Sequence, residues 1–516
     1  MPWLPLRPEI GGDRVSYDDR RTELNPGPAP GVTSVAGRVF GTIAWLAAIG
    51  APFAFFVLPD ARSSAPAGMV ELALVTTVYA ATRLSVMLAR GLVRPIVSVF
   101  FLFMYVSMGI VPLAQTFTGI YPFLISTSML VPTQFMALTA MVCFDAGQFL
   151  LRPNRARNRE RRVSLWDRDI RLSRLTLLTL FAVVASLYYM SVVGVASLFA
   201  SRFELGAAID DTLRSGDSEV GASLVRTFGT VPAIIVLAAW TQRLFIGREN
   251  RTIGGWVAWL LLLSVNVVVN NPISNARYWF LTVAIGLLFC LPRVSSWTYR
   301  TVIAGGAIAA IVVFPYTDYF RVPAESRGAI RVTSIAESIS SKDFDQSIMS
   351  ANALGMIQDT GHTLGYQLLS ALLFWVPRSV WPTKGIDTGT MVGEWMVAQN
   401  TNLSSPLWIE LFIDFGWVGV IAGFLILGYL AARGDRYFNE LRIGTGRLSR
   451  SSPGGLVVPF LAGYTFILLR GPLLQAMAML AVIVGMCWLL GVGHPAGGRH
   501  THDRPERERV DPQPSL

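Results

Sequence analysis

Apolar stretches long enough to cross a bilayer recur along the chain at 38–59, 67–89, 95–115, 126–150, 173–194, 223–244, 253–271, 277–292, 300–317, 407–432, 455–470 and 472–492. A hydrocarbon core of about 30 Å needs about twenty apolar residues of helix. The pattern therefore predicts an all-α integral membrane fold with about twelve transmembrane helices. One connection breaks the rhythm, because 318–406 is far longer than the others, and loops of that length usually carry function or are disordered. Inside it, 364–376 (LGYQLLSALLFWV) is apolar, too short to span, and ended by Pro377. It reads as an interfacial or re-entrant helix. The layout is a polar tail at 1–35, helices one to nine over 36–317, the large extracytoplasmic loop 318–406, helices ten to twelve over 407–492, and a polar tail at 493–516.

Charge sets the orientation, since arginines in short loops resist translocation. With the N-terminus cytoplasmic, the inside loops hold twenty-one arginines, nine of them between Arg152 and Arg174. The short outside loops hold only Arg62, Arg202, Arg214, Arg277 and Arg470. Both termini are therefore expected in the cytoplasm, with 318–406 outside.

Composition agrees, with 52% hydrophobic and 15% charged residues and a mean hydropathy of +0.49, against roughly 25% charged in soluble domains. The net charge of +10 belongs to the loop arginines, so no nucleic-acid partner is implied. Cys143, Cys290 and Cys487 all sit in apolar runs, which offers neither a disulfide framework nor a cysteine metal site. P-loop, GxGxxG, HExxH and GxSxG signatures are missing, so no cofactor is expected.

The residues that can carry chemistry are charges at the outer face. Arg277 follows Asn270, Asn271 and Asn275; Asp318 and Arg321 stand in YTDYFR; Arg378, Trp381 and Lys384 in VPRSVWPTKG; Glu394, Glu410 and Asp414 follow. Fixed cations at a lipid–water boundary suit a lipid-linked phosphate or pyrophosphate, which Arg grips bidentately, and a carboxylate can deprotonate an attacking hydroxyl. The alternative for each is structural: snorkelling for Arg277 and Arg321, salt bridging for Asp318, helix-end placement for Glu410 and Asp414. His362 is the one histidine outside the C-terminal tail and reads more readily as a solvated loop residue than as a functional one. Trp375, Trp381, Trp395 and Trp408 can stack on sugars or form an interfacial belt. Arg83, Glu71 and Asp145, within spans, are either ion-pair members or part of a polar cavity.

In LLSALLFWVPRSVWPTKG followed by WIELFIDFGWVG, the chain resembles the Wzy-type O-antigen and exopolysaccharide repeat-unit polymerases, on Pro377, Arg378, Trp381, Lys384, Glu410, Phe415, Gly416 and Gly419. Gly385 stands where proline is expected. The resemblance covers most of the chain in topology and some 60 residues in motif. It implies a GT-C-like glycosyltransferase that joins undecaprenyl-pyrophosphate-linked oligosaccharide repeat units into a surface polysaccharide, with one such lipid as donor and another as acceptor. A flippase and a chain-length regulator are the implied partners. Arg378, Arg277 and Arg321 would hold the pyrophosphate; Glu410, Asp318 or His362 would take the proton; Lys384, Trp381, Glu394 and Asp414 would complete the substrate site. An O-antigen ligase-like enzyme, another GT-C transferase and a lipid-linked glycan flippase or transporter are the rival readings.

Overall fold

The computed structural model describes residues 35–58, 66–150, 164–200, 204–205, 209, 219–247, 250–313, 334–341, 344–398, 403–443 and 446–492. Asp318, Arg321 and both polar tails lie outside the described residues. In chain order the helices are α1 (Val35–Phe56), α2 (Met69–Arg90), α3 (Pro95–Thr118), α4 (Thr127–Phe149), α5 (Leu172–Val193), α6 (Ser223–Ile246), α7 (Ile253–Val269), α8 (Arg277–Cys290) and α9 (Ser296–Val312). Then follow α10 (Ile335–Ile339), α11 (Gln346–Thr360), α12 (Tyr366–Leu372), α13 (Thr388–Trp395), α14 (Leu407–Glu440), α15 (Pro453–Arg470) and α16 (Leu473–Gly491). Among the described residues nine helices, α1–α6 and α14–α16, are long and apolar enough to cross a membrane. The helices α7, α8 and α9 have only 17, 14 and 17 residues.

The outward faces of these helices are apolar. Phe40 and Ile43 on α1, Leu177, Leu180 and Val184 on α5, and Val257, Leu260 and Leu261 on α7 are all exposed. Apolar surface of that extent requires a hydrocarbon surround. At the centre lies α3, apolar on every side (PIVSVFFLF) and buried, widening into a π segment at Met104–Ile110. Gln134 of α4 donates to the Met108 carbonyl there at 2.6 Å. The intramembrane charges Arg83 and Asp145 form an ion pair, with Tyr79 donating to Asp145 at 2.7 Å. Glu71 is exposed in the first turn of α2.

Contacts sort the connections into two ends. At one end Arg300 donates to Leu88 O, Asn439 to Val93 O, Arg442 to Phe289 O and Arg447 to Ile246 O, and Ile170 N–H meets Ser451 O. A two-residue β-hairpin, Arg442–Ile443 with Arg447–Leu448, lies there. Both ends of the helical array reach this side, Gly41 against Ala89 and Gly491 against Leu165. At the opposite end Asn271 donates to Leu198 O, Gln115 to Phe344 O and Ser405 N–H to Arg470 O. The described arginine-bearing connections thus share one end and the described part of the long connection lies at the other.

The described part of the long connection is folded. Helix α11 is buried over most of its length; small residues all round it (SANALG) leave no polar face and hence no periodicity to read. The apolar run 364–376 forms only the seven-residue α12, a length of about 10 Å at 1.5 Å per residue. Leu364 and Gly365, with φ of 52° and 89°, set its start. Lys384 takes the carbonyls of Phe374 and Val376 past its end, at 2.6 and 3.0 Å. Helix α14 outruns its expected end at 432 and breaks at Gly416, where φ is 59° and ψ −148°. Beyond the break a Cβ on Gly419 would lie 2.3 Å from Leu411 O, so the chain folds back on itself and both glycines are required.

Glu394 and Arg450 are exposed at opposite ends. Introduced singly as cysteines in a background lacking Cys143, they should react oppositely with a membrane-impermeant reagent in sealed cells, Glu394→Cys labelled and Arg450→Cys protected. Equal labelling would contradict the two-ended arrangement.

Candidate functional site

The turn between α7 and α8 is built by asparagines. Asn271 Oδ1 accepts from the backbone N–H of Ile273 and Ser274, Asn275 Nδ2 donates to Val269 O at 2.9 Å, and Asn270 joins Trp279 Nε1 to Thr230 O. These bonds close the end of α7 and start α8 at Arg277. A helix of 14 residues covers about 21 Å, well short of the hydrocarbon thickness, which leaves a recess above Arg277. From α6, Arg226 reaches the same turn and donates to Asn275 Oδ1 at 3.4 Å.

The third wall is the turn from α15 to α16. Pro472 disfavours continuation of the helix through Gly471, so α15 ends at Arg470. Its guanidinium lies 4.8 Å over the Tyr278 ring and 3.7 Å from Asp345. Arg226, Arg277 and Arg470 together line one cavity of about 260 Å³, with Asn275, Gln475, Thr227, Thr230 and Tyr464 adding polar groups and Leu403, Ile467 and Met479 an apolar side. Guanidiniums from three helices around a single cavity repel one another unless an anion joins them, and a polyanionic phosphoryl group fits the bidentate geometry.

A layer of carboxylates sits behind the wall. Glu410 is buried and accepts from Thr388 Oγ1 at 2.8 Å and from Leu473 N–H at 3.2 Å. It closes the N-terminus of α16, where an anion is favoured. Asp387 accepts from Gln475 Nε2 and from Gly389 N–H.

The other expected residues build the neighbouring surface. Arg378 is exposed and donates to the carbonyls of Lys384 and Gly385 at 2.7 and 3.2 Å. The Lys384 ammonium is buried, and burial together with the adjacent Arg378 lowers its pKa from the usual lysine value. Gly385 N–H donates to Ser370 Oγ, and a Cβ there would meet Gln367 Oε1 at 2.5 Å. This is why glycine stands where proline is expected. Trp381 packs edge-on against Tyr366, with ring centres 5.7 Å apart. Asp414 accepts from Thr363 Oγ1 and from the N–H groups of Gln367 and Leu368, capping α12. His362 is exposed, edge-on to Phe412 and beside Gly416, with Nδ1 3.3 Å from Ile413 O. Glu394 is exposed on α13.

Compared with protein-family models, curated proteins and solved structures, the chain has no match.

Of the expected cations among the described residues, the structure brings only Arg277 into this cavity; Arg378 and Lys384 spend their charge on loop carbonyls. Sequence reasoning missed Arg226 and Arg470 as site residues. The available signals were an arginine inside an apolar span, which is costly, and an arginine immediately before the Gly-Pro that ends α15.

Asp414→Ala removes three accepted hydrogen bonds at the start of α12 and should lower stability by about 2 kcal/mol, read as a clear drop in melting temperature in detergent. An unchanged melt would show that the cap contributes nothing.

Proposed function

We propose that the chain is a glycosyltransferase of the lipid-linked repeat-unit polymerase type, acting at the outer face of the cytoplasmic membrane, in a fold similar to the GT-C class. The observation that carries the proposal is the cavity where Arg226, Arg277 and Arg470 converge beside apolar helix faces. A lipid-linked pyrophosphate has the matching parts: a polyanionic head for the guanidiniums and a polyprenyl tail for the surrounding hydrocarbon. The likeness at 377–419 to Wzy-type polymerases adds the reaction class.

In this reading the three arginines hold the donor pyrophosphate and stabilise the charge that grows on it as the glycosidic bond to the lipid breaks. Fixed cations at a leaving group commonly supply the largest catalytic term. Arg378 and Lys384 shape the loop over 377–385, on which Trp381 offers a flat face to a sugar ring. Glu410 positions α16 and with it Gln475 in the cavity wall. The second lipid-linked unit supplies the attacking hydroxyl.

Cells lacking the gene should carry single repeat units in place of a ladder of glycan lengths, and the intact gene should restore the ladder. Arg277→Ala or Arg470→Ala should cut polymer formation by about 100-fold, the cost of losing one donor to a developing anion, at equal protein abundance. Arg378→Ala should shorten the chains through the loosened 377–385 loop. A normal ladder with both Arg277 and Arg470 replaced would contradict the assignment.

A further inference from the structure

A second cationic feature lies at the other end of the helices, beside the hairpin. Once α8 has closed at Cys290, residues 292–294 run antiparallel to the strand Arg447–Leu448. Leu448 N–H donates to Pro292 O at 2.6 Å and Val294 N–H to Gly446 O at 3.2 Å. These two bonds bracket Arg293 and Arg447, which stand directly opposite each other. In a pair bracketed this way the Cα atoms approach to about 4.5 Å and the side chains lie on one face. Alternation along the strands decides which face that is. Val294 and Leu448 are buried, so Arg293 and Arg447 turn outward, and both are exposed.

Like charges directly opposite each other destabilise a strand pair, and nothing nearby cancels them. Arg447 donates to Ile246 O at 3.3 Å, and neither guanidinium meets a carboxylate among the described residues. Both line one cavity of about 360 Å³ whose other walls are Phe245 and Pro292. Phe245 is exposed near the end of α6. Its ring stands edge-on to Trp256, and Trp256 edge-on to Trp259, with ring centres 5.6 and 5.9 Å apart. Leu291 and Trp297 are exposed on the same end. Aromatic rings gathered where apolar helices end are the mark of the membrane–water boundary. The two arginines are therefore held side by side at headgroup depth, with an apolar wall next to them.

We propose that this cavity binds an anionic phospholipid of the adjoining leaflet, its headgroup phosphate between Arg293 and Arg447 and its acyl chains on the hydrocarbon side of Phe245. A phosphodiester accepts hydrogen bonds from both guanidinium forks at once and turns their repulsion into shared attraction. Basic pockets between helices at the arginine-rich side of a membrane suit such headgroups. A free phosphate would satisfy the arginines alone, whereas the aromatic wall at boundary depth favours a headgroup that carries its chains. The site stands at the opposite end from Arg277 and Arg470 and requires no particular reaction there.

The experiment titrates the purified full chain in non-ionic detergent with phosphatidylglycerol, with phosphatidylcholine and with inorganic phosphate. Native mass spectrometry reads retention, and thermal melting reads stability. Wild type should retain phosphatidylglycerol over the zwitterionic phosphatidylcholine and melt higher with it. Arg293→Gln should weaken retention of phosphatidylglycerol about fivefold, the effect of one arginine at a membrane surface, and Arg293→Gln/Arg447→Gln about thirtyfold. The Arg293 side chain donates no hydrogen bond among the described residues, so without lipid Arg293→Gln should melt no lower than wild type. Arg450→Gln, which removes another exposed arginine of the same end, should retain the lipid as wild type does. Equal retention of the two lipids by wild type overturns the inference, as does undiminished retention by Arg293→Gln or an equal loss in Arg450→Gln. A lower lipid-free melt of Arg293→Gln overturns it by making the arginine structural. Inorganic phosphate raising the melt as far as phosphatidylglycerol overturns it by making a free anion the ligand.

Discussion

The absence of water around the helices is the constraint from which the rest follows. Helix ends held near hydrocarbon gain from partners within the protein, and at several of them the charged residues divide that task by sign. At one end arginines dock on helix C-terminal carbonyls: Arg300 on α2, Arg442 on α8, Arg447 on α6 and Arg174 on α16. Carboxylates close helix N-termini, Asp435 on α3, Asp414 on α12 and Glu410 on α16. Each choice agrees with the helix dipole. The arginines that resist translocation therefore also finish the helices they follow.

Against that pattern Arg226, Arg277 and Arg470 stand apart, because the backbone directs all three guanidiniums to one cavity at the opposite end. Each is placed by a local rule. Asparagine side chains close α7 ahead of Arg277, the Gly-Pro turn stops α15 at Arg470, and Arg226 leans from within α6 onto Asn275. In a low-dielectric surround such a cluster is tolerable only with compensating negative charge. Asp345 supplies part of it, and on the proposed reading the substrate's pyrophosphate adds to it. The described part of the connection between α9 and α14 brings Leu403 into the cavity wall and Asp345 to Arg470.

Hydropathy made the helical array and its two ends legible, because length and apolarity are what a bilayer demands. The break at Gly416 was legible only as a motif, since nothing in a run of apolar residues announces a left-handed backbone. Helix α11 was hidden because burial on all sides erases amphipathic period. The site was half legible. Arg277 stood out beside its asparagines, whereas Arg470 was visible only as a topological charge and Arg226 was masked by the apolar run around it. Lys384 and Asp414 drew notice as charges, and their contacts give them work within the loop: one takes carbonyls beyond the end of α12, the other caps its start.

The most direct measurement of the central claim is binding of undecaprenyl pyrophosphate to the purified protein by native mass spectrometry, with undecaprenol as the uncharged control. The account predicts retention of the pyrophosphate lipid over undecaprenol by the wild-type chain, and loss of that preference in the Arg277→Gln/Arg470→Gln double variant. Equal retention of the pyrophosphate lipid by wild type and double variant would contradict it.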